Sequence, residues 1–170
     1  MTIGRWRAGP RRLAALLRSA WPRRGLVAEA CLSLIAAEAR LRLLPLKNQG
    51  MGEMTPATGP ARDAFAAASE TERQAALDVG WAVTKSAVYF PVPIRCLAQA
   101  LAARAMLRRR GTRSLLHVGV ARPESTSFEA HAWLEAAGVE VTGYPVPPQL
   151  REIGLLHCDG AKRRQGLHPD

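Results

Sequence analysis

The chain has few of the residue types that mark disulfide-stabilised or aromatic-rich proteins. Among 170 residues there are only three cysteines, at positions 31, 96 and 158. An odd number at such scattered positions excludes a disulfide framework and favours a reducing compartment, so we predict a cytoplasmic protein. Aromatic residues make up only 5% of the chain while alanine is abundant. The core must therefore be built mainly from small aliphatic side chains in helices.

The chain also lacks a long uncharged apolar run. Its most apolar stretch, residues 26–46, includes two glutamates and two arginines, and charges at such positions make a membrane span costly. Apolar residues recur there every three or four positions, which predicts an amphipathic helix over residues 25–44. The first residues are arginine-rich but have neither a continuous apolar segment nor a small-residue cleavage site, so we expect no secretion signal.

Acidic residues are the scarcer charged type. Twenty-four Lys and Arg stand against 14 Asp and Glu, a formal net charge of +10. Such an excess is typical either of a plain basic surface or of proteins that meet an anionic partner: nucleic acid, a membrane surface or an acidic peptide. Because no motif combining aromatic and basic residues accompanies it, we predict no nucleic-acid partner, and contact with a membrane surface stays open.

Proline and glycine divide the chain into four segments. Residues 1–46 are predicted to form amphipathic helices, a short one over residues 11–20 and the long one described above. Residues 47–60 contain three glycines and two prolines and are interpreted as a linker. Residues 61–150 would form the core, and residues 151–170 a basic, flexible tail.

Two helices are predicted at the start of the core. Ser69 and Glu72 have the spacing of a capping box, which opens a helix that the sequence FPVP at residues 90–93 ends. A second helix begins at Cys96, and Gly111 follows its last turn as a C-cap glycine does.

The pattern then changes from the helical period to that of strands. Strands are predicted over residues 114–121, 128–136 and 139–144, with a tight turn at residues 137–138. Prolines at positions 145, 147 and 148 are expected to end the regular part. Helices followed by an antiparallel sheet predict an α+β fold.

The candidate chemistry consists of one thiol and one imidazole. Cys96 stands at the first turn of a predicted helix, where free N–H groups and the helix dipole favour the thiolate. His131 follows 35 residues later within a strand, and a thiol nucleophile needs such a base within hydrogen-bond reach. The residue types alone leave a second interpretation open, in which Cys96 is a small buried apolar residue and His131 a hydrogen-bonded core histidine.

Other chemically suggestive residues fit packing better than function. His117 and Trp133 lie in predicted strands, and His157 with Cys158 lacks the second pair that a zinc site needs. The sequence contains neither a phosphate-binding glycine loop nor a metalloprotease helix. We therefore predict no cofactor and no metal.

Three segments carry a family resemblance: CLAQALAARAMLRRRG at residues 96–111, LLHVGV at 115–120 and FEAHAWLEAAG at 128–138. They resemble the B protein of lasso-peptide biosynthesis, and the resemblance extends over about residues 79–144. The family consists of leader peptidases of the transglutaminase-like, papain-related cysteine proteases. The resemblance implies an α+β fold in which a nucleophile helix packs on a small antiparallel sheet, with N-terminal helices.

The resemblance also implies a function and its partners. Proteins of this family remove the leader from a ribosomally made precursor peptide, after which an ATP-dependent, asparagine-synthetase-like cyclase closes the ring. Carried over to this sequence, Cys96 is the nucleophile and His131 the general base. The chain lacks a recognisable leader-recognition domain, so it resembles the stand-alone form that works with a separate recognition protein.

One position departs from the family pattern. The family usually has an aspartate twelve residues after the histidine, where it orients the imidazole, but this chain has Gly143. A two-residue turn would pair His131 with Tyr144, which makes Tyr144 a candidate for the orienting residue, and Asp159 is another if the chain folds back. The missing carboxylate keeps open an alternative function, a catalytically impaired binding or scaffold subunit of the maturation complex.

Overall fold

A computed structural model describes residues 23–44, 68–121 and 130–158, with side chains through residue 154. The predicted helix at residues 11–20 and linker at 47–60 lie outside the described residues. Three helices precede four strands in the described part. They are α1 (Arg24–Leu43), α2 (Glu70–Tyr89), α3 (Cys96–Arg109), β1 (Ser114–Ala121), β2 (Ala130–Ala136), β3 (Val139–Thr142) and β4 (Leu150–Cys158).

The helices begin and end where local signals predict. The side chain of Ser69 accepts from the N–H of Glu72 at 3.3 Å, and the Glu72 carboxylate accepts from the N–H of Ser69 at 2.9 Å, so the predicted capping box is confirmed. Helix α2 ends at Phe90, which is extended before the prolines. Gly111 follows α3 with φ +73°, a conformation that glycine adopts without strain.

The four strands form one antiparallel sheet in the order β3-β2-β1-β4. Strands β2 and β3 are joined by Ala137 and Gly138, whose φ angles of 50° and 71° are those of a type I′ turn. With three helices and an antiparallel sheet, the described part has the predicted α+β fold.

The prediction of a flexible tail from residue 151 is wrong for residues 151–158. These residues belong to β4, which pairs with β1 from Ala121↔Leu150 to Ser114↔Cys158. The three prolines end the connection after β3, but they do not prevent a new strand beyond them. Pairing with β4 satisfies the second edge of β1, whose backbone groups would otherwise be unpaired.

Helices α1, α2 and α3 pack with the sheet around one core. Its buried side chains come from every helix and from the central strands, as Leu34, Val79, Met106, Leu116 and Leu134 illustrate. Four buried alanines of α3, Ala98, Ala100, Ala102 and Ala103, allow its neighbours to approach closely. Helix α1 therefore belongs to the same core, although residues 1–46 were predicted as a segment apart from it. None of the described helices is long and apolar enough to cross a membrane.

Candidate active site

A cleft of about 390 Å³ at the N-terminus of α3 brings together the two residues predicted to be catalytic. Cys96 is the first residue of α3, and His131 is the second residue of β2. Gln99 and residues 141–145 also line the cleft. The packing of α3 against β2 and β3 thus places a thiol and an imidazole, 35 residues apart in sequence, in one site.

The local sequence places Cys96 in the first turn of α3. Its predecessor Arg95 is the N-cap, with extended backbone angles (φ −65°, ψ 149°), and its carbonyl accepts the first helical bond from the N–H of Gln99 at 3.0 Å. The Gln99 side chain donates to the carbonyl of Ile94 at 3.0 Å. Helix geometry leaves the N–H of Cys96 without an intrahelical acceptor, so it is suited to donate to an oxyanion.

A buried carboxylate from α1 anchors this helix start. Oε1 of Glu38 accepts from the backbone N–H of Arg95 at 3.2 Å, and Oε2 accepts from the Arg95 guanidinium at 3.0 Å. Glu38 is only 7% exposed, and the hydrogen bond from Arg95 lowers its pKa below the ordinary value. In the sequence, Glu38 is one of the charges that argue against a membrane span, and its role at the start of α3 was not predicted. Its position on the apolar side of the predicted helix could have indicated a buried partner.

The imidazole of His131 is held by a backbone atom. Its Nε2 lies 2.6 Å from the carbonyl oxygen of Gly143. Because a carbonyl oxygen can only accept a hydrogen bond, Nε2 must carry the proton, and Nδ1 of the neutral ring is then the unprotonated nitrogen. The backbone carbonyl of Gly143 thus orients the imidazole, whereas the sequence led us to expect a side chain in this role.

A β-bulge brings this carbonyl to the histidine. Ala136 pairs with Val139 and Glu135 with Glu140, but Leu134 then pairs with Thr142, so one residue of β3 is extra. The predicted register, which placed residue 131 opposite residue 144, is therefore wrong. A uniform hairpin count cannot anticipate a bulge, which shifts every later pair by one.

Gly143 directly follows β3 and has to be a glycine. Its φ is +84°, and a Cβ there would lie 2.5 Å from the carbonyl oxygen of Ala132 and 2.8 Å from Cα of Trp133. Both obstacles are backbone atoms, which cannot turn aside as a flexible side chain can. The aspartate of the family pattern would therefore not fit this backbone, and the same conformation presents the carbonyl to His131.

Tyr144 and Asp159 were the two candidates for the residue that orients His131. The hydroxyl of Tyr144 donates a hydrogen bond to Oε1 of Glu135 at 2.7 Å, and this hydrogen bond does not involve the imidazole. Asp159 lies outside the described residues, and its role stays a prediction.

A stack of three rings supports His131 from one side. The rings of His131 and Trp133 have centroids 6.1 Å apart, and those of Trp133 and His117 are 5.2 Å apart and nearly parallel at 7°. Gly119 makes room for the indole, because a Cβ at that position would lie 3.0 Å from the Trp133 ring. His117 and Trp133, which sequence analysis assigned to packing, thus pack in line with the candidate base.

The far ring of the stack is held between two carboxylates. Nδ1 of His117 lies 2.5 Å from Oε1 of Glu152, and Nε2 lies 3.5 Å from Oε2 of Glu135. The second separation is that of an ion pair without a good hydrogen bond. Burial lowers the pKa of His117, but the two neighbouring glutamates outweigh this effect and raise the pKa above the ordinary value.

The described residues include no group of three or more His, Cys, Asp or Glu side chains placed to hold a metal ion. The thiol of Cys96 and the imidazole of His131 line the cleft, and they are the groups required for nucleophilic attack by a thiol with an imidazole as the base.

One of three comparisons with known proteins identifies a family for the chain. A sequence model of the transglutaminase-like superfamily matches residues 34–153, which is more than half of the chain and includes both Cys96 and His131. Comparison with curated proteins gave no match, and neither did comparison with solved structures. The superfamily includes cysteine peptidases. By this match, supported by its α+β fold, the chain belongs to the transglutaminase-like superfamily.

Proposed function

We propose that the chain is a cysteine peptidase that removes the leader from a ribosomally made precursor peptide during lasso-peptide maturation. Cys96 is the nucleophile and His131 the general base. The observation that carries the proposal is the hydrogen bond from His131 to Gly143, because it leaves Nδ1 as a base in the cleft that also contains the thiol.

The proposed reaction uses the thiol and the imidazole that line the cleft. Nδ1 of His131 takes the proton of the Cys96 thiol, and the sulfur attacks the carbonyl carbon of the scissile peptide bond. The N–H of Cys96 stabilises the oxyanion of the tetrahedral intermediate. Collapse breaks the C–N bond, and the leaving amine takes the proton from His131. Water, deprotonated by the same imidazole, then hydrolyses the thioester and restores the thiol.

The lasso-peptide assignment is supported by the three family-like segments, two of which supply Cys96 and His131 of the cleft. The segment from Cys96 to Gly111 forms α3 and its C-cap, and the HAW segment supplies His131 and Trp133 of the ring stack. Under this proposal the partners are the precursor peptide, a separate leader-recognition protein and an ATP-dependent cyclase, all in the cytoplasm.

One observation favours a second function, a binding or scaffold subunit of the same complex. Position 143 has no carboxylate, so an imidazolium at His131 would gain no full negative charge from that position. The carbonyl of Gly143 nevertheless fixes the ring and its tautomer, which a scaffold protein would not require. We therefore rank the peptidase first.

The test is leader release from any lasso-type precursor peptide whose gene adjoins that of this chain, followed by mass spectrometry in the presence of a recognition protein encoded with it. Wild type and Cys31→Ala should release the leader, while Cys96→Ala and His131→Ala should not. Cys31 is the matched control, since it is the other half-buried free cysteine in the described residues.

Two other outcomes would reject the proposal. If no form of the protein cleaves the precursor although the complex assembles, the scaffold function is favoured. If Cys96→Ala cleaves as fast as wild type, Cys96 is not the nucleophile.

A further inference from the structure

A groove of about 430 Å³ lies between α1 and α3, separate from the active-site cleft. Its apolar residues include Leu32 and Ala36 of α1 and Leu101 of α3. Leu32 is 68% exposed, and Ile35, one turn further along the same helix, is 53% exposed. Large aliphatic side chains at such exposure, grouped beside a concave surface, are typical of a protein interaction site.

The groove is also strongly basic. Arg40, Arg104, Arg108 and Arg109 line it, and Glu29 is the one acidic residue among the described residues that do so. The charge of Glu29 is already shared, because Arg109 donates to its carboxylate at 2.9 Å and Arg110 at 2.5 Å. Hydrogen bonding by Arg110 lowers the pKa of Glu29, so it stays ionised and bound to these arginines. Four arginines against one glutamate give the groove lining a formal net charge of +3.

We propose that this groove binds an acidic amphipathic helix of a partner protein. Apolar side chains of that helix would cover Leu32 and Leu101, and its acidic side chains would meet the arginines of the rim. The proposal does not depend on the peptidase function, because none of the groove residues lines the cleft.

Charge argues against the chain itself as the occupant. Residues 1–22 contain five arginines and no acidic residue, residues 45–67 contain two acidic and two basic residues, and a second copy would carry a net charge of +10. Nucleic acid fits less well, because none of the described residues lining the groove is aromatic and able to stack on a base. A membrane surface would favour a convex basic face over a concave groove with apolar side chains in it.

The docking proposal stands alone, but the role of the docked partner rests on the peptidase function proposed above and on the position of the groove. Leu101 lies five residues after Cys96 in α3, about 8 Å along the helix axis. A helix bound here leaves the cleft open while it holds the attached partner beside it. The groove is thus suited to recruiting a partner that delivers a substrate.

The test uses a fluorescent synthetic helix of about 18 residues, or five turns, with leucines on one face and glutamates on both flanks. One control peptide replaces glutamate by lysine, and another has the same composition in scrambled order. Anisotropy titrations compare wild type with Leu32→Asp and Arg108→Glu, both exposed in the groove. Leu77→Asp and Arg151→Glu are the matched controls, exposed residues on α2 and β4.

We expect the glutamate peptide to bind wild type and Cys96→Ala equally. Each groove variant should weaken binding by about tenfold or more, while the control variants bind as wild type does. Absence of binding, equal binding of all three peptides, or equal losses for Arg108→Glu and Arg151→Glu would overturn the proposal. So would a wild-type dimer in sedimentation that Leu32→Asp dissociates, or groove-dependent binding of duplex DNA or anionic vesicles in place of the peptide.

Discussion

Nε2 of His131 donates a hydrogen bond to the backbone carbonyl of Gly143 at 2.6 Å, the position at which the lasso-peptide B-protein pattern that this sequence resembles has an aspartate. A carbonyl fixes the tautomer and the plane of the ring as a carboxylate does, but it carries only a partial charge. Hydrogen bonds with a charged partner are about twice as strong as neutral ones. The site therefore keeps the orientation that a third residue supplies while giving up part of the stabilisation of the imidazolium.

Replacing Gly143 by alanine should cost far more than replacing another glycine of similar φ. Gly111 has φ +73°, and no atom lies within 4 Å of a Cβ placed there. Gly111→Ala should therefore lower the free energy of unfolding only by the backbone strain, about 1–2 kcal/mol. Gly143→Ala adds a collision with backbone atoms at 2.5 and 2.8 Å and should cost about 2–5 kcal/mol. Urea unfolding of both variants measures the difference, and equal losses would contradict the close packing at Gly143.

The variant Tyr144→Phe should leave catalysis nearly unchanged. It removes the hydroxyl that donates to Glu135, which should lower the free energy of unfolding by about 0.5–1.5 kcal/mol. The hydrogen bond from His131 to Gly143 is a backbone contact and stays in place. A large fall in kcat for leader release, without a comparable loss of stability, would instead identify Tyr144 as the orienting residue.

Glu38→Gln should destabilise the fold and slow the reaction of Cys96 with iodoacetamide, because the anchor of the α3 N-terminus is weakened. We expect a loss of about 1.5–3 kcal/mol at neutral pH, as for hydrogen bonds to a charged group. The lowered pKa of Glu38 makes this contribution fully present above the unfolded value of about 4.5. It is lost as the pH falls through the folded pKa, so wild type and variant should converge in acid.

The control for Glu38 is Glu70→Gln, which removes an exposed ion pair with Arg73 at 3.5 Å. Such surface pairs contribute about 0–1 kcal/mol. If both substitutions have the same effect on stability and on the alkylation rate, the Glu38 contact does not anchor the helix start.

His117→Gln should reveal a pH dependence of the opposite sign. The pKa of His117 is raised by Glu135 and Glu152 against the effect of burial, so its contribution to stability is fully present below the unfolded value of about 6.5. It is lost as the pH rises through the folded pKa. The stability difference between wild type and variant should therefore shrink from mildly acidic to alkaline pH, as thermal unfolding over a pH series would measure. A difference that grows with pH would contradict the ion pairs.

The elements that local signals specify were predicted well from the sequence. The capping box of Ser69 and Glu72, the start of α3 at Cys96 and the turn at residues 137–138 depend on neighbours within a few residues. Strand β4 was missed because the prolines before it are stronger local signals than its pairing with β1, which only the folded chain provides.

The candidate site was predicted in part for the same reason. Cys96 and His131 carry chemistry in their side chains, so their residue types identified them. The acceptor for His131 is a backbone atom of Gly143, and its position depends on a bulge between Leu134 and Glu135. No residue type signals a carbonyl oxygen, and the bulge arises from how β3 packs on its neighbours.

Glu38 accepts a hydrogen bond from Arg95, 57 residues later in the sequence. This contact sets a lower limit on the length of a fragment that keeps the site intact. A fragment that starts after the predicted linker would contain both the thiol and the imidazole, yet it would lack the Glu38 carboxylate that accepts hydrogen bonds from Arg95 at the start of α3. During synthesis α1 leaves the ribosome first, so Glu38 is already present when α3 forms. The smallest piece expected to work therefore begins at or before α1.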